Sequence, residues 1–502
     1  MMRAMSVSTQ AQPLSPGLRA TLLRRLRRLL PADAVLAREE ELRPYECDAL
    51  SAYRRLPGVV VLPRNADEVR AVLCLCRELQ VPVVARGAGT GLAGGALPRP
   101  DGVLLSLARL DRILRLDPDN RIAVVQPGVR NLAVSEAAAA HGLFYAPDPS
   151  SQVACTIGGN VAENAGGVHC LKYGLTVHNV LGLKMITVDG EMLELGGVHG
   201  APDGPGLDLT ALAVGSEGML GVVVEATLRL LPAPPAARVA LAAFDDIATA
   251  GAAVGRIIGA GIVPAGLEMM DNAALRAAED FVHAGYPRDA AAILLCEVDG
   301  EAAEAEAQTE RVCALLREAG ATEVRVARDE AERRRFWQGR KAAFPAVGRI
   351  SPDYYCMDGT IPRHRLPQVL EGIARLAREH GLPVANVFHA GDGNLHPLIL
   401  YDAARPGELE RTERLGAKIL ELCVAAGGTI TGEHGVGMEK IDQMCVQFGT
   451  AELQRFHDVK AAFDPAGLLN PGKAVPTLHR CAELGAMHVH GGRLPFPELE
   501  RF

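Results

Sequence analysis

Apolar and polar positions fall into blocks along this chain, and glycine or proline punctuates the blocks closely enough to predict elements. Residues 81–86 read as a buried strand, residues 87–102 are rich in glycine and proline, and residues 103–107 are apolar again. That is a strand, a loop and a strand, with no helix between. The pattern predicts a helix over 131–140. The prolines at 232, 234 and 235 can continue neither helix nor strand, so the chain has a boundary there. Beyond it, strand-like segments at 238–244, 262–269, 291–298 and 322–326 alternate with helical ones. This predicts a four-stranded, ferredoxin-like sheet covered on one face by helices.

Two later segments carry chemistry. Asp392 and Gly393 lie between apolar runs in residues 386–397, the strongest short hairpin signal. Folding about that pair sets Gly391 opposite Asn394, Ala390 opposite Leu395, and His389 opposite His396. Opposed residues have Cβ atoms about 4.5–5.5 Å apart, so the two imidazoles come close enough to share one divalent ion. Residues 429–435 form a short strand-like run that ends in Glu433, His434 and Gly435, and Glu433 offers a third ligand. Two histidines and a carboxylate leave a tetrahedral ion one open position, the pattern of a catalytic site. In an extended strand Glu433 and His434 point to opposite sides, so one ligates while the other faces substrate. A ring-stacked or Asp392-bonded histidine pair is the alternative.

Composition narrows the classes. The 502 residues allow about three domains at roughly 100–200 residues each. A net charge of −8 argues against a nucleic-acid or extended membrane-binding face. No run of 18 apolar residues occurs, and Arg24, Arg25, Arg27 and Arg28 among leucines read as a solvated amphipathic helix, not a secretory signal. A cytoplasmic or peripheral protein is expected. The 11 cysteines include no Cys-x-x-Cys, which predicts reduced thiols and no iron-sulfur centre. Electrons, if they move, need a borrowed carrier.

Gly89 to Gly94 satisfies Gly-x-Gly-x-x-Gly, yet a Rossmann turn must open a helix and this one runs into a strand. Successive glycine amides still form an anion-binding nest. Further glycine-rich stretches occupy 147–167 and 214–222. Three such loops suit an extended dinucleotide with a large flat ring; a merely flexible surface loop is the alternative for the first.

Residues 86–95, 147–167 and 214–222 together resemble the FAD-binding domain of the vanillyl-alcohol oxidase superfamily, and 389–397 with 432–435 resembles its lactate and glycolate dehydrogenase branch. The likeness covers roughly residues 50–475, and the tail at 481–502 is similar to that of FAD-linked subunits of bacterial glycolate oxidases. The implied class is α+β: a helical segment at 1–52, an FAD domain at 53–233, a substrate-binding cap at 234–420, a segment at 421–476 returning to the flavin, and a tail at 477–502. By resemblance, FAD is gripped by Arg86, Gly87, Ala88, Gly89, Thr90, Gly91, Gly94 and Gly95 of the first loop. Pro147, Ser150, Ser151, Gly158 and Asn160 serve from the second, Glu217, Gly221 and Val222 from the third, and Asn470 from the C-terminal segment. No histidine occurs in 86–95, so the FAD is expected to be non-covalent.

The resemblance further implies that His389, His396 and Glu433 hold zinc or a similar ion, that His434 takes the hydroxyl proton of a 2-hydroxy acid, and that Arg340 grips its carboxylate. A guanidinium fork matches a carboxylate where Lys341 offers only a point charge. Relatives that take 2-hydroxyglutarate carry a lysine and an asparagine where this chain has Cys356 and Leu398. The departure points to glycolate or D-lactate. A hydroxyl from Tyr354 or Tyr355 is a further candidate contact. Reduced flavin would pass electrons to a second flavin-type subunit and an iron-sulfur subunit, placing the chain in the cytoplasm or, through those partners, on the inner membrane. The alternatives are a stand-alone D-lactate dehydrogenase and, in a different class, a metal-dependent hydrolase.

Overall fold

The computed structural model describes residues 12–197 and 206–476, so the tail at 477–502 lies outside the described residues. Its first sheet runs in the order Val35–Leu36, Val59–Val61, Val103–Ser106, Val83–Arg86, with parallel pairing of the last three strands. Val59, Val61, Val83, Val103 and Leu105 pack beneath helices Pro16–Leu29 and Ala66–Leu79, while Val60, Val84 and Leu104 fill a second cluster on the other face. Burial on both faces is why these strands read as unbroken apolar runs. The expected strand-loop-strand unit is present, since Val83–Arg86 reaches Val103–Ser106 without a helix. The arginine-rich N-terminal segment is helical, with Leu22 and Leu26 buried and a Ser15 cap at its start.

A second, antiparallel sheet of five strands follows in the order Ile113–Asp117, Ile122–Val125, Val222–Arg229, Val180–Ile186, Met192–Gly196. Helix Asn131–Ala138 stops two residues short of the expected span. Helix Ile157–Glu163 begins inside the second glycine-rich stretch.

The third sheet corrects the four-strand expectation. The four expected strands appear as Ala236–Phe244, Gly266–Asp271, Ala292–Gly300 and Glu323–Val326, but Val384–His389, Asn394–Tyr401 and Asp353–Cys356 extend the sheet to seven. The order is Glu323–Val326, Ala236–Phe244, Ala292–Gly300, Gly266–Asp271, then those three. Helices cover both faces, not one. Ala240, Ala242 and Phe244 pack with Val254, Val312 and Ile373 on one side, and Val239, Leu241 and Ala243 pack with Ala278, Phe336 and Trp337 on the other. Alternate side chains of a strand point to opposite faces, so a strand apolar at every position needs two cores. Each large side chain so buried contributes about 1.5–3 kcal/mol, and a charge at Leu241 would strand itself in one of those cores. The extension matters for function because it sews the histidine hairpin to the edge of the cap sheet.

Among the described residues no helix is long and apolar enough to cross a membrane. Nine cysteines there are free thiols; Cys445 departs from the expectation and is disulfide-bonded.

Candidate active site

The hairpin forms, in a different register. His389 pairs with Asn394, Phe388 with Leu395 and Val387 with His396, so the loop is four residues long and not two. The Gly393 amide closes it onto the His389 carbonyl at 3.1 Å, the Asn394 amide bonds the Asp392 carboxylate at 3.0 Å, and the Ile361 amide meets the Gly393 carbonyl at 3.0 Å. Gly393 takes φ +84°, and a Cβ there would lie 2.1 Å from the Ile361 carbonyl oxygen. The slip is by two residues, and a period of two keeps His389 and His396 on one face as diagonal neighbours. Their ring centroids stand 5.0 Å apart.

Residues 429–435 are not a strand. Thr429 makes one antiparallel bridge with Thr360, and from Thr431 onward the chain wraps around a single buried carboxylate. Asp358 accepts from the Thr431 hydroxyl at 2.5 Å and from the amides of Gly432 at 3.0 Å, Glu433 at 3.2 Å and His434 at 2.9 Å, while Asn394 of the hairpin donates to it at 2.9 Å. Burial opposes its charge, but His434, Lys440 and His396 hold its pKa below the usual aspartate value. Glu433 and His434 therefore both face the histidines instead of opposite sides. Gly435, at φ +79°, supplies the bend that this wrapping needs.

Glu433 Oε1 lies 3.1 Å from His389 Nε2 and 2.9 Å from His396 Nε2. Three donors converge on one point, as the metal expectation requires. Behind them His389 Nδ1 donates to Glu268 Oε1 at 2.8 Å, which fixes the tautomer and aims the Nε2 lone pair inward. Burial disfavours a charge on His389, yet the two carboxylates raise its pKa well above the usual imidazole value. A cation on Nε2 would take the place of that proton between the same carboxylates. His434 stacks flat on His396, with centroids 4.8 Å apart and planes 11° from parallel. Burial is the main influence on it and lowers its pKa, so the ring is neutral and able to accept a proton. The residues fit a divalent cation.

A cavity of about 540 Å³ joins this cluster to the glycine loops. Of the residues expected at FAD, Arg86, Gly87, Ala88, Gly89, Thr90, Gly91 and Gly95 line it, as do Ser150, Ser151, Gly158, Asn160, Glu217, Gly221 and Val222. His389, His396, Glu433 and His434 line the same space. Gly94, Pro147 and Asn470 do not. Gly94 packs against Met438, the Pro147 carbonyl accepts from Asn131 at 2.9 Å, and the Asn470 amide braces the carbonyls of Gly95 at 3.1 Å and Glu217 at 2.7 Å. Those three shape the loops from behind. Glu217 also accepts the amides of Val436 and Gly437, each at 2.7 Å, and so ties the Glu433–His434 loop to the glycine-rich lobe.

Arg340, expected at the substrate carboxylate, lies behind the cluster. It is fully buried off the cavity wall, with Nη2 2.6 Å from Glu268 Oε2, so its charge balances the carboxylate that supports His389. Sequence reasoning also missed Glu268 and the anchoring role of Asp358. Each had a signal, a lone acid within an apolar stretch, Gly-Leu-Glu-Met-Met and Cys-Met-Asp-Gly.

Residues 57–196 match the FAD binding domain, and residues 233–474 match the C-terminal domain of FAD linked oxidases. The chain is an FAD-linked oxidase. The oxidase is 66% identical over 484 residues to glycolate oxidase subunit GlcD of Escherichia coli K12, covering 96% of this chain and 97% of that one. It is 40% identical to glycolate oxidase subunit GlcD of Bacillus subtilis, over 86% of this chain and 91% of the relative, and 33% identical to a D-lactate dehydrogenase of Anaerostipes hadrus, over 88% and 94%. A p-cresol methylhydroxylase crystal structure with substrate bound superposes at a TM-score of 0.79 and 16% identity, covering 93% of this chain and 99% of that one, which shows a common fold. Membership in this family removes the hydrolase alternative.

Proposed function

We propose that the oxidase converts a small 2-hydroxy acid, glycolate before D-lactate, to the 2-oxo acid as the FAD-linked subunit of a larger assembly. The single observation that carries this is the shared cavity: flavin-type glycine loops and a His-His-Glu cluster with an adjacent neutral histidine open onto one space. The relatives named glycolate oxidase subunit GlcD support both the substrate and the assembly. On this reading residues 53–233 hold FAD, 234–420 form the cap over the substrate, and 421–476 return Glu433 and His434 to the flavin.

When bound, FAD supplies the hydride acceptor and a divalent ion such as zinc supplies Lewis acidity toward the substrate hydroxyl. The protein does the rest. His389, His396 and Glu433 hold the ion, with Glu268 fixing the His389 ring. His434, neutral and stacked on His396, accepts the hydroxyl proton at a ring nitrogen as the Cα hydride leaves. The glycine amides hold the dinucleotide without a covalent link, and a second flavin-type subunit with an iron-sulfur subunit would accept the electrons.

Anaerobic mixing of the purified holoenzyme with glycolate, D-lactate, L-lactate and D-2-hydroxyglutarate, followed by flavin absorbance, tests this. Glycolate or D-lactate should bleach the flavin fastest. Bleaching by none of the four would overturn the substrate reading.

A further inference from the structure

Away from the histidine cluster, one turn of helix in the FAD-binding half docks on the cap through charged side chains. Helix Cys170–Tyr173 follows the second glycine-rich stretch, and Glu297 and Asp299 stand two apart on strand Ala292–Gly300, so both carboxylates face the same side. Lys172 and the Tyr173 hydroxyl bond the Asp299 carboxylate, the latter at 2.6 Å, and Lys172 also reaches the Asp299 carbonyl at 2.9 Å. His169, just before the helix, is held from both sides. Its Nδ1 lies 2.8 Å from Asp148 Oδ2 and its Nε2 3.2 Å from Glu297 Oε1, while its backbone amide donates to Asp148 Oδ1 at 3.1 Å. Glu297 is itself fixed by Arg333 Nη1 at 2.7 Å and Trp337 Nε1 at 2.5 Å, and Lys341 Nζ stands 3.9 Å from Asp148 Oδ2. A neutral imidazole has one N–H, so carboxylates at both of its nitrogens require a proton on each. Burial opposes that charge, yet Asp148 and Glu297 raise the His169 pKa to about 10.

We infer that His169, a cation shared by Asp148 and Glu297, is a positioning residue that clamps the loop at 147–151 to the cap and thereby strengthens the hold on FAD. Asp148 and His169 lie within the part of the chain that matches the FAD binding domain, and Glu297, Arg333 and Trp337 within the part that matches the C-terminal domain. The clamp joins the two halves. Pro149, Ser150 and Ser151, directly after Asp148, line the cavity, and a loop fixed in advance loses less freedom when the dinucleotide binds. The inference rests on the reading of FAD as non-covalent and is independent of the substrate. The charged groups facing His169 are Asp148 and Glu297 and, through those carboxylates, Lys341 and Arg333; Lys172 and Asp299 lie one step further along the strand. Because the pKa is raised in the folded protein, the contribution of the clamp is complete below pH about 6.5 and is lost as pH rises through about 10.

The test compares wild-type, His169→Gln and His169→Arg holoenzymes between pH about 6.5 and about 10. FAD affinity is read from the fluorescence of released flavin. Trp337 is the one tryptophan of the chain, and its ring centroid lies 5.7 Å from that of His169, so its emission reports the junction. At the lower pH His169→Gln, which keeps a donor but no charge, should weaken FAD binding roughly 10- to 100-fold, the value of a charge-assisted link, and His169→Arg should recover part of the loss. In wild type, FAD affinity should fall and the Trp337 emission should shift as pH rises toward the upper end; neither change should occur in His169→Gln. Wild-type affinity in His169→Gln, or one pH profile common to both proteins, overturns the inference. Equal loss of FAD from His169→Gln and His169→Arg, beside a flat wild-type profile, assigns His169 to packing and overturns it as well. Flavin that stays on the chain after denaturation removes the non-covalent reading instead, and the pH-dependent emission of Trp337, present in wild type and absent in His169→Gln, then decides the clamp alone.

Discussion

The hairpin of Val384–His389 and Asn394–Tyr401 and the loop at 429–435 supply side chains to one cluster, yet they are built in opposite ways. The hairpin organises itself through six paired positions on consecutive strands, and a two-residue register error leaves both histidines on the correct face. The loop has one bridge to Thr360, takes three amide bonds and one hydroxyl bond to Asp358, more than seventy residues earlier, and is held at its ends by Gln447 and Glu217. Local pairing tolerates error. A loop hung on remote side chains does not, and the amides of Glu433 and His434 are turned toward Asp358.

Removing that anchor should have the largest effect. Asp358→Ala leaves the amides of 432–434 without their acceptor and should cut flavin reduction by roughly 1,000-fold, losing the proposed ligand and the proposed base together. Metal content by mass spectrometry should fall with it, and a variant with normal metal and normal rate would erase the contrast between the two segments. His434→Ala separates base from ligand within the loop: reduction should slow roughly 100-fold while FAD and metal are retained. Stopped-flow absorbance at wild-type speed would remove the base role. On the hairpin side, Glu268→Gln should weaken metal binding about 10- to 100-fold through the His389 ring, measured by competition with a chelator. Unchanged affinity would mean that the hairpin holds its histidine without support. The smallest effect belongs to the turn. Gly393→Ala forces a Cβ into a positive-φ position against the Ile361 carbonyl and should cost about 1–3 kcal/mol of stability, read from the denaturation midpoint, with metal affinity nearly intact.

How much was legible follows the same division. The glycine loops were readable because the backbone itself faces the cavity, so residue type alone announces the function; Gly94, Pro147 and Asn470 escaped because supporting a loop from behind leaves the same trace in sequence as touching what it holds. Four cap strands were readable from alternation with helical segments. The three added strands, the second helical face and the extended reading of 429–435 went astray because pairing partners, not local pattern, decide them. The setting of Arg340 was not legible either: its position in the sequence says nothing of its ion pair with Glu268, which only the packing of helix Glu330–Lys341 against the cap sheet decides.

The order of the chain thus determined by itself that a glycine-lined nucleotide site exists, that two histidines share a face of a hairpin, and that a Glu-His step follows, because each is a consequence of φ preference or a period of two. Tertiary structure decided that these parts meet. Residues 358–361 touch the hairpin tip through the Ile361 amide and Leu395, and the loop through Thr360 and Asp358. No short-range propensity encodes that junction, since its free energy comes from buried polar groups finding partners only once the cap sheet has closed around them.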